Sequence, residues 1–206
     1  MMWPRLALLL GRFHRNERGV AAVEFALIMP VLLLLYFGSM EASVLFTADK
    51  RVNTISATVG DLVAQWDPST GTIDAATLTT YFTAATGIMT PYSTTGLKQV
   101  VSLVFVNSAG VTNVLWSKAS GGGTVRTVGQ PYTPLLQASM TDQVSRGGCV
   151  VAAETSYSYK PLFGQVFKTA LNLGHINYFV PRYGATAVVQ PAGLSPVVAS
   201  TACGGS

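Results

Sequence analysis

The sequence predicts an α+β protein: a long N-terminal helix, part transmembrane and part stem, packed on a small antiparallel β-sheet. Three observations predict it. The run from Val20 to Phe46 is 27 residues long and holds only Glu24 and Glu41 as charges. It continues into an apolar stripe at helical spacing as far as Trp66. From Gln99 onward, short runs rich in β-branched and aromatic residues alternate with turn-forming clusters, the pattern of strands in a hairpin-linked sheet.

The chain starts with an apolar stretch, Met1 to Leu10, too short to span a bilayer and interrupted by Arg5. A polar, basic stretch follows to Gly19. Up to Arg18 the charges are Arg5, Arg12, Arg15 and Arg18 against Glu17, a local +3. Residues 1–19 therefore read as a cytoplasmic basic leader, because flanking Lys and Arg hold that side of a spanning helix in the cytoplasm.

Residues 20–46 read as the transmembrane helix. At 1.5 Å per residue, about 20 residues cross the hydrocarbon core. Phe25 to Met40 carries no charge. The apolar core is longer than that of a cleaved secretory signal, and no small-x-small site follows it. Pro30 removes one helical hydrogen bond and crowds the carbonyl of Ala26, so it predicts a local kink or loosening. Glu24 has two readings. Its carboxylate lies at the interface and reaches water, or it pairs with an α-amino group. Cleavage after Gly19 would create such an amine at Val20, four residues away.

The sequence Gly19-Val-Ala-Ala-Val-Glu24-Phe25 resembles the processing motif of type IV pilins: Gly, four residues, Glu, then an aromatic. The longer string RGVAAVEFALIMPVLLLLYFGSME, Arg18 to Glu41, is similar to the TadE-like proteins of the tight-adherence (Flp) pilus system. At Phe25 the sequence has the residue usual in that group, where the major Flp pilin has Tyr. The resemblance implies a bacterial minor pilin or pseudopilin, cut between Gly19 and Val20 by a membrane prepilin peptidase. It implies assembly roles for Glu24, Phe25 and Pro30 in the helix. It implies as partners the membrane, the peptidase, other pilin subunits and the assembly platform, with the remaining chain in the periplasm or in an extracellular pilus. Small residues Ala21, Ala22, Ala26 and Gly38 suit close helix packing in lipid. The competing reading is an uncleaved single-pass anchor carrying a periplasmic scaffold or binding domain. It accounts for the span but not for the Gly19–Glu24 spacing.

Residues 47–68 read as a helical stem. Leu45, Val52, Ile55, Val59, Leu62 and Trp66 form one stripe at helical spacing. The helix ends at Asp67, since Pro68 disfavours a helical predecessor. Residues 69–206 read as the exported α+β domain. Ile73 to Gly87 predicts a short helix. Gln99 to Val106 and Val111 to Ser117 predict a hairpin whose first strand, almost continuously apolar, is central or covered on both faces. Cys149 to Lys160 predicts a third strand, with Thr155, Tyr157 and Tyr159 on one face and Glu154, Ser156 and Ser158 on the other. Pro161 to Leu173 predicts a loop and a short helix, and Ile176 to Val189 a fourth, edge strand interrupted by Pro181. The layout matches the general pilin plan that the resemblance implies.

Composition argues against other classes. The nine Lys and Arg and six Asp and Glu from Thr47 onward are dispersed, which is no nucleic-acid footprint. Neither His14 nor His175 joins a Ser-His-Asp arrangement, and the lone His175 reads as a turn or surface residue. Asp61, Asp67 and Asp74 fit no cation-binding loop, and the last two read as helix-end residues. Gly121-Gly122-Gly123 lacks the Lys-Ser/Thr of a phosphate loop. No metal site, cofactor or catalytic group is expected. In an exported compartment Cys149 and Cys203 pair as a disulfide tying the tail to the third strand, or remain two thiols; oxidising surroundings favour the bond.

Overall fold

The computed structural model describes residues 19–67, 69, 71–132, 147–161, 169–183, 193–194 and 203. The architecture is α+β, as the sequence predicts: a long N-terminal helix, a second short helix and a four-stranded antiparallel sheet. The chain divides into two compact units. One comprises Met1–Val44 with Pro161–Thr169, and the other Leu45–Lys160 with Ala170–Ser206.

Helix α1 spans Val20–Ala64, and its assignment runs unbroken through Pro30. In the first unit its apolar side chains are exposed, Val31 through Tyr36 without interruption. Six consecutive residues exceed one 3.6-residue turn, so the helix is apolar on every side there. In the second unit the same helix is one-sided. Ala48, Val52, Ile55, Val59 and Val63 are buried, spaced 4, 3, 4 and 4 apart. The sequence stripe continued to Leu62 and Trp66 instead, and both are only half-buried. The buried face turns toward small residues because Gly60 and Ala64 admit close neighbours. The Phe179 ring packs at Gly60, and the Arg182 backbone N–H donates to the Ala64 carbonyl at 2.9 Å. Trp66 instead donates its indole N–H to the Gly71 carbonyl, 2.7 Å away.

Helix α2, Ala75–Thr86, starts at Asp74, whose carboxylate accepts from the Thr77 backbone N–H at 2.6 Å. Leu78, Phe82 and Ala85 face the core. Thr79, Thr80 and Thr83 donate their hydroxyls to carbonyls four residues back, which lets a threonine-rich segment remain helical. A 3-10 turn, Gly87–Met89, follows.

The strands are β1 Leu97–Val106, β2 Thr112–Ser120, β3 Gly148–Tyr159 and β4 Leu171–Phe179, in the order β2-β1-β3-β4. The β1–β2 turn is held by the Asn107 carboxamide oxygen, which accepts from the N–H groups of Ala109 and Val111. A bulge between Leu103 and Val104 inserts Leu115 into the register. Strand β1 is central, as its apolar run predicts, and both its faces are covered. Gln99 donates to the Phe82 carbonyl on the helical side. On the other face Val104, Val106, Val114, Val150 and Ala152 pack beneath Tyr132, with Val128 and Tyr178 at the margin. In the second half of β3, Thr155, Tyr157 and Tyr159 are buried, and Ser156 is exposed, as the alternation requires.

The fourth strand differs from the sequence expectation. It spans Leu171–Phe179, not Ile176–Val189, and it ends before Pro181. Leu171 to Leu173, expected as the end of a short helix, are strand; residues 162–168 and 184–192 lie outside the described residues. The physical reason is that β4 turns polar groups toward α1. His175 Nε2 lies 2.7 Å from Asp49 Oδ1, and the Asn177 amide donates to Asn53 Oδ1 at 2.9 Å and to Ser56 Oγ at 2.7 Å. A strand with polar residues on its covered face shows no apolar alternation.

Candidate processing and membrane segment

Gly19 directly precedes α1, and a Cβ built on it would meet nothing within 4 Å. The Gly19 α-carbon thus has open space beside it among the described residues. Val20, Phe25 and Leu27 are exposed at 55%, 60% and 72%. Glu24 is also exposed, four residues and about one turn beyond Val20. It makes no ion pair or hydrogen bond among the described residues. The five-residue step from Gly19 to Glu24 is thus presented on one exposed helical end, with their Cα atoms about 7.5 Å apart along the axis.

The helix that follows is long and apolar enough to cross a membrane, with a window of mean hydropathy 2.4, none of it buried. Ala, Leu and Met are strong helix formers and dominate it. Pro30 lies inside this window, where it withholds an N–H from the carbonyl of Ala26. Glu41, the second acid of the run, is buried.

The second unit holds a polar cluster that sequence reasoning missed. Arg126 grips both carboxylate oxygens of Glu154, with Nε to Oε1 at 2.8 Å and Nη2 to Oε2. Tyr132 donates its hydroxyl to the same Oε1 at 2.9 Å. The Tyr132 and Tyr178 rings meet edge-on, 6.4 Å apart. The hydrogen bond to Glu154 raises the Arg126 guanidinium above its ordinary pKa. Burial, then the Glu154 charge, push the Tyr132 phenol well above its ordinary range. The cluster pins the segment after β2 over the sheet. Beside it lies a groove of about 520 Å³, bordered by Lys98, Val100, Thr124, Arg126, Ser156 and Ile176. The sequence signal was weak, because Arg126 and Glu154 are 28 residues apart.

Among the described residues no group of three or more His, Cys, Asp or Glu could hold a metal ion. Asp61 binds Arg182, Asp67 accepts from the Ser69 N–H, and Asp74 caps α2. His175 sits mid-strand on Asp49, not in a turn. Cys149, on β3, and Cys203 are buried with their Cα atoms 5.3 Å apart and their sulfurs at bonding distance. That separation lies within the range a disulfide bridges.

Comparison with curated proteins and with solved structures gives no match to this chain. The family model for TadE-like protein matches residues 19–59. That match begins at the glycine and takes in Glu24, the apolar run and the first turns of the one-sided helix. Over Gly19 to Val59 the chain is similar to that family.

Proposed function

We propose that the protein is a minor pilin or pseudopilin that serves assembly of a tight-adherence pilus. The observation that carries the reading is the Gly19–Glu24 spacing at the start of a helix exposed and apolar on every side. On this reading a prepilin peptidase cuts between Gly19 and Val20. The helix to Phe46 spans the inner membrane, and residues 47–68 continue as the stem of an exported domain. The basic leader sets that orientation. The match over residues 19–59 supports the family of the helix. The role is one of packing and assembly, not catalysis.

After cleavage Val20 carries a free amine. Glu24 then answers an α-amino charge, its own or a neighbouring subunit's, and fixes the axial register of one helix against the next. Association in lipid has no hydrophobic drive, so polar pairing and the small residues Ala21, Ala22, Ala26 and Gly38 decide the contact.

Intact mass of the protein from native membranes tests the reading. The expected chain begins at Val20, nineteen residues shorter than the translated one. Gly19→Trp should leave the full length. If wild type and variant both begin at Met1, the protein is instead an uncleaved anchor.

A further inference from the structure

Charge in the second unit is polarised along α1, and the register shows how. Strand β4 runs alongside the helix in the same direction. His175 meets Asp49, Asn177 meets Asn53 and Ser56, Phe179 meets Gly60, and the Arg182 side chain reaches Asp61 at 2.7 Å. Leu171 therefore lies at the end where the chain enters the unit, at Leu45. Antiparallel pairing brings Tyr159 to the same end opposite Leu171, and Leu97 opposite Tyr157. The segment after α2 is drawn there too. Arg51 Nη1 donates to the carbonyls of Ile88 and Thr90 at 2.6 and 2.5 Å, and its guanidinium lies 5.7 Å from the Tyr92 ring centroid.

Among the described residues this entry end holds Lys50, Arg51, Lys98 and Lys160 against Asp49, which is occupied by His175, and the Arg126–Glu154 pair beside Lys98 adds no net charge. The far end holds Asp61, Asp67 and Asp74 against Arg182. Lys50, Lys98 and Lys160 are exposed. Phe46, also exposed, lies beneath the Lys50 ammonium, 4.8 Å from Nζ to the ring centroid. Phe46 closes the apolar run, and a lysine at the end of such a run is an anchor at the bilayer interface, with its stem along the ring and its ammonium in the headgroup layer. The loop beyond Arg51, Thr90 to Gly96, is exposed and uncharged, apart from the half-buried Tyr92.

We propose that the entry end of this unit is a docking surface for the headgroups of anionic phospholipids. Phe46 lies among the headgroups, and Lys50, Lys98 and Lys160 meet their phosphates. The inference rests on the membrane-spanning reading above and adds a second contact to it. Arg51 is a positioning residue, because its Nη1 is engaged by the carbonyls of Ile88 and Thr90. The acidic far end is repelled by the same surface, so the polarity also orients the unit.

The test uses the full chain in nanodiscs of zwitterionic lipid, with and without phosphatidylglycerol, followed by hydrogen exchange. Anionic lipid should slow exchange in the exposed loop 90–96 by about threefold or more. The difference should vanish in about 1 M salt, where the screening length is about 3 Å. It should also vanish in the triple variant Lys50→Glu, Lys98→Glu, Lys160→Glu, while exchange in β3 stays at the wild-type rate and shows the fold intact. Equal loop exchange in the two lipids for a nanodisc-embedded wild type overturns the proposal and leaves the spanning helix standing. A lipid effect that survives in the triple variant also overturns it. A chain that does not co-migrate with nanodiscs overturns both readings.

Discussion

Gly60 is where one residue decides how closely a strand approaches the helix. A Cβ there would lie 2.5 Å from two carbons of the Phe179 ring and 2.9 Å from the Ala153 Cβ. Real contacts do not reach those distances, so Gly60→Ala forces the ring or the strand to move. Overpacking of this kind costs about 1–3 kcal/mol. The better helix propensity of alanine returns about 1 kcal/mol at most. A net loss of thermal stability is expected, and Phe179→Leu in the same chain should recover part of it. A double variant no better than Gly60→Ala alone would remove the ring from the account. Asp74 acts through charge and geometry together. The Thr77 N–H holds its carboxyl below the ordinary pKa. A depressed folded value means stability that is present above the unfolded value, about 3.9, and lost as pH falls through the folded one. At pH 7 Asp74→Ala should melt below wild type, with the gap narrowing below about pH 4. Asp74→Asn, which keeps an acceptor and drops the charge, should lose less and show little of that acid dependence.

At the scale of elements, what the sequence discloses depends on how each element is stabilised. Strand β1 and the second half of β3 are legible because apolar burial leaves a pattern in the residues. Strand β4 is not, because it faces α1 with His175 and Asn177, and no periodicity scan rewards polar residues on a covered face. The last two turns of the α1 stripe are misplaced for a related reason. Close approach there selects Gly60 and Ala64, which carry little hydrophobic signal, over Leu62 and Trp66. The spacing of Gly19 and Glu24 is legible because it is local. The Arg126–Glu154–Tyr132 cluster is assembled across the fold and leaves no local trace. Cys149 and Cys203 join the tail to β3 across a separation of 54 residues. On the chain-entropy account, a loop of that size makes the bond worth about 4 kcal/mol. Non-reducing gels should show a faster-migrating species that disappears on reduction. Cys149→Ser with Cys203→Ser should melt about 10 °C lower. Unchanged mobility and melting would leave the two as thiols.

For the whole molecule, the spanning reading has one helix serve two solvents, and Glu24 is the residue on which their demands oppose each other. The first part of α1 exposes apolar side chains on every side, while Glu24 among them is exposed and without an ion pair among the described residues. An unpaired carboxylate in a spanning helix costs up to about 2.5–3.5 kcal/mol at the bilayer centre and less toward its end. If Glu24 only snorkels to water, its removal is neutral or favourable to every step. If it answers an α-amino charge in an assembled bundle, removal helps insertion and harms assembly. The two readings thus differ in sign, not merely in size. Glu24→Ala should remain in the membrane fraction at wild-type level or above, processed at Gly19 as before. It should nevertheless fail to support pili and fail to co-purify with other pilin subunits after crosslinking. Glu24→Gln, which keeps the shape and loses the charge, should behave like Ala if pairing is ionic. Normal piliation with Glu24→Ala would strip the carboxylate of its assembly role. Loss of the protein from the membrane would instead assign the residue to insertion, where the cost of burying a charge says it should not help.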